Sequence, residues 1–209
     1  MTKPNPLELA KLSQQTQLVY ERNAVLWTES RPKTLVEKPW LNRFLVHSLA
    51  EGPILDLGCG AGDPIAGYFF DAGRTVVGID ASQQMIKLAI DQYPNGDWRL
   101  QDMRLLDLPE RFAGIIGWNS FFHLTRGEQR ALIPLLSKHL LPGGSLLLTV
   151  GPNDGEVAGH VGKDAVYHAS LSPSEYQERL FDCRLEVIDF VPEDPNCYDM
   201  SILLAKKAN

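Results

Sequence analysis

Ile54-Leu55-Asp56-Leu57-Gly58-Cys59-Gly60-Ala61-Gly62-Asp63-Pro64 decides how this chain of 209 residues is read. A short apolar run holding one carboxylate meets glycines at 58, 60 and 62. Such a run, ended by glycine, predicts a buried strand. The glycines let the backbone turn sharply and come close to a ligand with no side chain between. Asp63 is expected to cap the helix that follows, with Pro64 in its first turn and Ile65 and Phe69 on one face. In open α/β sheets ligands bind beyond the carboxyl ends of the strands, where such turns sit.

Outward from this point the pattern repeats. Gly73 suits a helix end, Thr75 to Ile79 reads as a second strand, and Ser82 caps a helix striped by Met85, Ile86, Ala89 and Ile90. Asn95-Gly96 turns into a short strand, Trp98 to Gln101, and Ala113 to Trp118 is the fourth. Thr125 and Glu128 form a capping-box pair, with Leu132, Leu135 and Leu136 on the buried face; Pro134 is expected to kink that helix or reset its start. Pro142-Gly143-Gly144 turns into a fifth strand, Ser145 to Val150. Gly151 to Leu171 shows no clear period and reads as a long surface loop, a kind of segment that is often functional. Ser172-Pro-Ser-Glu175 opens a helix to about Asp182. Leu185 to Val191 and Met200 to Ala205 then form strands too close in sequence for a crossover, hence antiparallel. Before Pro53, two stretches read as helix, about Leu7 to Trp27 and Leu35 to Leu49. Strand and helix in alternation predict an α/β fold with a largely parallel sheet.

Glycine turns of this kind also serve dinucleotides, and two features argue against that use here. The dinucleotide fingerprint wants a glycine at its sixth position; counting from Gly58, that is Asp63. Asp56 also stands two residues before the first glycine, where a carboxylate would repel pyrophosphate and answer a positively charged ligand. Asp80 ends the second strand, where it can bind two ribose hydroxyls; NAD enzymes share that feature.

These segments resemble the class I S-adenosylmethionine-dependent methyltransferases from about Pro53 to Lys206: ILDLGCGAG, VVGIDAS, QDMRLLDLP and LLPGGSLLLTV, in that order. More narrowly, Tyr20-Glu-Arg22, Trp27 to Arg31, Pro39-Trp40, Phe121 to Leu124 and Tyr167 to Leu171 look like a bacterial subgroup acting on small molecules. The resemblance implies a Rossmann-like, seven-stranded mixed sheet of order 3-2-1-4-5-7-6. Its last strand would be antiparallel, with helices on both faces. Residues 51–209 would form the cofactor-binding domain, and residues 1–50 a helical lid within the same domain. It further implies that Asp56, Gly58, Cys59, Gly60 and Gly62 surround the methionine part of S-adenosylmethionine. Asp80 would take the ribose beside Ala81, Ser82 and Met85. Asp102 would accept from the adenine amino group with Met103 on the ring, and Trp118 and Asn119 would lie beneath the sulfur. S-adenosylhomocysteine is the implied product. Asn119 is followed by Ser120 and Phe121, so the Asn-Pro-Pro-Tyr/Phe element of enzymes that methylate nucleic-acid bases is missing.

Composition narrows the partners. The net charge is -6, without a block of Lys or Arg, which argues against a nucleic-acid substrate. Cys59, Cys183 and Cys197 share no close spacing and read as free thiols with no zinc pattern; no metal is expected. Met1 to Gln17 is polar, unlike a signal peptide, and no run is long and apolar enough for a membrane span. The expectation is a cytoplasmic protein with a small-molecule methyl acceptor.

His123 follows the fourth strand and is the general-base candidate; a structural histidine near a helix start is the competing reading. Tyr167 and His168 either touch substrate or are plain loop residues. Tyr20, Trp27, Arg31 and Trp40 either cover the cofactor or only pack the lid. Besides an active enzyme, a cofactor-binding scaffold or sensor without turnover remains a reading, and an NAD(P) oxidoreductase is a third.

Overall fold

Helix α1 (Pro6–Ser30) begins at a reciprocal cap in which the Asn5 side chain accepts from the Leu7 and Glu8 amides and Glu8 returns a bond to Asn5. Helix α2 (Lys38–His47) follows with Pro39 in its first turn. The alternating body then runs β1 (Ile54–Leu57), α3 (Ile65–Asp71), β2 (Val76–Asp80), α4 (Gln83–Gln92), β3 (Asp97–Leu100), β4 (Phe112–Gly117), α5 (Arg126–His139) and β5 (Leu140–Val150). A hairpin, β6 (Gly155–Val161) and β7 (Asp164–Ser170), precedes α6 (Pro173–Asp182), β8 (Leu185–Asp194) and β9 (Met200–Lys207). The computed structural model describes residues 5–209; the first four residues of the polar terminus and of the expected lid lie outside the described residues.

Seven strands form one sheet in the order β3-β2-β1-β4-β5-β9-β8. Strands β1 to β5 pair in parallel, and β9 runs antiparallel to both β5 and β8. With the hairpin set aside, this is the expected order 3-2-1-4-5-7-6. β1 and β4 are buried at every position because helices cover both faces. On one face Leu132 and Leu136 of α5 and Tyr176 and Leu180 of α6 pack on Leu57, Ile115 and Leu148. On the other, Leu41 and Phe44 of α2 and Ile65 and Phe69 of α3 pack on Ile54, Ile116, Leu147 and Leu204. Among the described residues no helix is long and apolar enough to cross a membrane.

Several local expectations are corrected. The long loop is a hairpin, turning at Gly162 with φ 58°. Its apolar side chains are sparse, and a two-stranded ribbon is marginal alone; here Val161 and Val166 pack on Val19, and Tyr167 and Ala169 on Leu9. The cover comes from α1, far away in sequence. Asp63 does not cap α3, whose N-cap is Pro64 without a side-chain bond; instead Asp63 accepts from Lys33 and from the Tyr93 hydroxyl. Pro134 does not reset the start of α5, which runs from its Thr125–Glu128 capping box to His139. β5 starts before Pro142-Gly143-Gly144, which produces an irregular register against β4 instead of a turn.

Candidate functional site

The glycine turn lies where β1 hands over to α3. Gly58 has φ 68°, and a Cβ there would stand 2.5 Å from the Ser120 Cβ and 3.1 Å from the Met103 terminal methyl. Only a bare backbone lets the segments after β3 and β4 close on this turn. The Gly58 and Cys59 amides donate to the Ile79 carbonyl at 2.8 and 3.0 Å, tying the turn to the end of β2. The next glycine binds the following carboxylate: the Gly60 amide donates to Asp80 Oδ2 at 3.0 Å, and the Ser82 amide to Oδ1 at 2.8 Å. Burial pushes Asp80 up to about 6, aided by the charge of Glu21, against the pull of these amides.

Ser82 caps α4 through the Met85 amide and donates to Glu21 at 2.6 Å. Beyond β3, Asp102 caps a 3-10 turn, Met103–Leu105, and both its oxygens accept from Arg104 Nε at 2.9 Å. Burial raises Asp102, but Arg104 outweighs it and holds the carboxyl below the usual range. Beyond β4, Asn119 sits at φ 55° with its amide donating to Thr149 at 2.7 Å, and Ser120 donates to the Leu57 carbonyl at 2.5 Å. A second 3-10 turn, Phe121–His123, follows.

Helix α1 lies across these strand ends. Gln17 Nε2 donates to the Ala81 carbonyl at 2.8 Å, and the Tyr20 hydroxyl meets His123 Nε2 at 2.8 Å. His123 Nδ1 faces the Tyr167 carbonyl, also at 2.8 Å. The Trp27 ring stands edge-on to Tyr20, and Arg31 reaches Glu37 at 3.3 Å. One cavity results. It is lined by Gly58, Gly60, Asp80, Ala81, Ser82, Met85, Asp102, Met103, Trp118 and Asn119, with Tyr20, Trp27, Arg31 and His123 above them.

Six of the expected site residues do not line it. Asp56 lies buried at the end of β1, and among the described residues no donor reaches its carboxylate; burial pushes it up to about 7, against the attraction of Arg31. Cys59 is buried with its thiol against the Gly60 carbonyl, pushed well up by burial and thus unreactive. Gly62 faces Trp98, 2.8 Å from where its Cβ would stand. Trp40 belongs to the opposite layer, its Nε1 donating to Asp194 at 2.8 Å under the Arg43 guanidinium. Tyr167 is buried with its hydroxyl on Glu156, so only its carbonyl reaches toward the site, through His123. The His168 ring lies tilted beside that of His123, ring centres 4.9 Å apart.

Ser13, Gln14, Thr16, Gln17, Gln101, Arg104, Ser120, Leu124 and Glu128 complete the lining and were not expected from sequence as site residues. For α1 a signal exists: positions 13, 16, 17, 20, 27 and 31 recur every three to four or seven residues, one stripe of a helix.

Residues 54–144, which begin at β1 and include the glycine turn, match a family model described as a methyltransferase domain. An uncharacterized methyltransferase of Bacillus cytotoxicus is 32% identical over 97 residues, 46% of this chain and 45% of that protein. The trans-aconitate 2-methyltransferase of Delftia acidovorans is 32% identical over 112 residues, 52% of this chain and 41% of that protein. The matched segment thus spans less than half the length of these curated relatives. Among solved structures, the CcbJ methyltransferase from Streptomyces caelestis superposes with a TM-score of 0.71 at 17% identity, covering 93% of this chain and 99% of that one. An amino pentose methyltransferase from Micromonospora echinaspora gives 0.69 at 18% identity, covering 90% and 96%. Residues 54–144 thus resemble a methyltransferase domain, and the chain as a whole has the fold of these solved methyltransferase structures.

Proposed function

We propose that this protein binds S-adenosylmethionine in the cavity beneath α1 and transfers its methyl group to a small molecule, releasing S-adenosylhomocysteine. One observation carries the reading: the turn after β1 presents bare backbone at Gly58 and Gly60 while a half-buried carboxylate, Asp80, is aimed by two amides into the same cavity. That combination suits a nucleoside whose ribose donates two hydroxyls and whose cationic tail lies along the glycines. Asp102 and Met103 flank the same cavity, where an adenine amino group and ring would sit. The sulfonium supplies a methyl carbon already activated for in-line displacement. What remains for the chain is to orient the acceptor and exclude water, and positioning of this kind is worth about 7 to 11 kcal/mol.

The cover supports that division of labour. Tyr20, Trp27 and His123 wall the cavity above the strand ends, leaving a compact site suited to a small acceptor. His123 as general base has less support: both ring nitrogens are engaged, and burial, with the neighbouring His168 charge, depresses it to about 3. In this arrangement it holds Tyr20 in place. One of the similar structures is an amino pentose methyltransferase. An amine or hydroxyl on a small molecule is the corresponding acceptor class here. The subsidiary reading, a binding scaffold without turnover, draws support from the same cavity but from no feature of its own.

A thermal-shift comparison tests the proposal. S-adenosylhomocysteine at a hundredfold excess over its Kd stabilises by about 2.7 kcal/mol and raises the Tm, whereas NAD leaves it unchanged. The reverse result overturns it, and binding without methyl transfer to any amine or hydroxyl in a broad panel favours the scaffold.

A further inference from the structure

The outer edge of β7 is closed by side chains instead of a strand. On the side opposite β6, the Tyr167 amide donates to the Thr16 hydroxyl at 3.1 Å. The Tyr167 carbonyl faces His123 Nδ1 at 2.8 Å, and the Ala169 carbonyl accepts from Gln129 Nε2 at 2.9 Å. Alternate residues of such a strand turn their backbone groups to the same side, so these two carbonyls stand in one row. Gln129, in the first turn of α5, is 0% exposed. It also donates from Nε2 to the Leu124 carbonyl at 3.0 Å, while its Oε1 accepts from the Tyr176 hydroxyl of α6 at 2.6 Å. Carbonyls only accept, so the amide stands in one orientation, with its nitrogen toward both of them. The clip joins Leu124, the residue after His123, to Ala169, two positions past Tyr167. It therefore straddles the contact between His123 and the Tyr167 carbonyl.

We infer that Gln129, which does not itself line the cavity, is a positioning residue for the cavity's upper wall. By holding the loop after β4 to β7, it keeps the His123 Nδ1 proton on the Tyr167 carbonyl and leaves the Nε2 lone pair turned to the Tyr20 hydroxyl. Leu124, His123 and Tyr20 all line the cavity, so one buried amide in α5 fixes three of its walls. Without that amide, two carbonyls and a hydroxyl lose a partner inside the protein, and leaving buried polar groups unpaired is costly. The loop and the strand would separate to find water, and His123 would lose its acceptor.

Gln129→Met keeps the length of the side chain and removes all three bonds. Where it does not fold, Gln129→Asn serves instead, keeping the amide but one methylene too short to reach both carbonyls. NMR of the ligand-free protein with nitrogen-labelled histidine reads which ring nitrogen of His123 carries the proton. Wild type should show Nδ1–H, and the variant the Nε2–H form that an unconstrained imidazole prefers. Release of S-adenosylhomocysteine, followed by stopped flow, should be several-fold faster in the variant; this arm rests on the proposed cofactor. Leu132→Ala is the stability control. It opens a void on the buried face of the same helix without touching the clip, and should keep both Nδ1–H and the wild-type release rate. Nδ1–H retained in the Gln129 variant, Nε2–H in wild type, or the same change in Leu132→Ala overturns the assignment. An unchanged release rate overturns its bearing on the cavity. If wild type fails to bind S-adenosylhomocysteine, the cofactor reading falls, while the tautomer still decides the role of Gln129.

Discussion

The hydroxyl of Tyr20 donates to Nε2 of His123 across 2.8 Å, joining the lid helix to the turn that follows β4. The direction follows from the other side of the ring. Nδ1 faces the Tyr167 carbonyl, which can only accept, so Nδ1 carries the proton and Nε2 the lone pair. The imidazole is neutral and spans three parts of the chain: α1, the β4 loop and the hairpin.

Acid should therefore loosen the lid. The folded-state value of His123, about 3, lies below the ordinary 6.5, so the unfolded chain binds the proton first and stability falls as pH drops from about 6.5 toward 3. One such proton contributes a slope of up to about 1.4 kcal/mol per pH unit. Asp56 and Asp80, both raised, act with opposite sign, so the comparison must be with a variant. His123→Asn should flatten the acid limb of Tm against pH between 6.5 and 4; parallel limbs would show that the histidine is not held neutral.

Asp56→Asn should stabilise the ligand-free protein in alkaline buffer. Its carboxyl is raised from 3.8 to about 7, so its favourable contribution is complete below 3.8 and lost as pH climbs through 7. A gain of about 2 to 4 °C in Tm at pH 8, equivalent to roughly 1 kcal/mol, should vanish by pH 4.

Asp80→Ala should lower affinity for S-adenosylhomocysteine by more than tenfold, since a hydrogen bond to a charged group typically contributes about 1.5 to 3 kcal/mol. The Gly60 and Ser82 amides would lose their acceptor as well. An unchanged calorimetric Kd would mean that the ribose lies elsewhere.

Glu21→Gln probes the coupling of lid and ribose site. Glu21 accepts from Ser82 and its charge raises Asp80. Removing the charge should lower the Asp80 pKa and move the midpoint of ligand affinity against pH to more acid values. Hydrogen exchange at the amides of α1 should quicken at the same time, because one tie to the α4 cap is weakened. Neither change would separate α1 from the cofactor site.

Local chemistry made much of the frame legible. The run before Gly58, the caps at Ser82 and Thr125 and the two final strands are determined within a few residues, so strand, turn and helix could be placed to within a few positions. Where a partner lies far away in sequence, the reading failed. β6 and β7 become a hairpin because α1 covers them; Trp40 turns to Asp194, 154 positions away, instead of to the lid. Asp102 was legible as a loop carboxylate, whereas its clamping by Arg104 depends on the path of a 3-10 turn.

By itself, then, the amino-acid order determined the α/β alternation, the succession of motifs and the carboxylate at the end of β2, because periodicity, glycine and capping act over spans of one or two turns. Only tertiary structure decided which side chains face one another across the cavity, which carboxylates are lifted by burial, and that His123 is engaged on both sides. Those properties depend on desolvation and on contacts between residues tens to more than a hundred positions apart, and no local pattern encodes them.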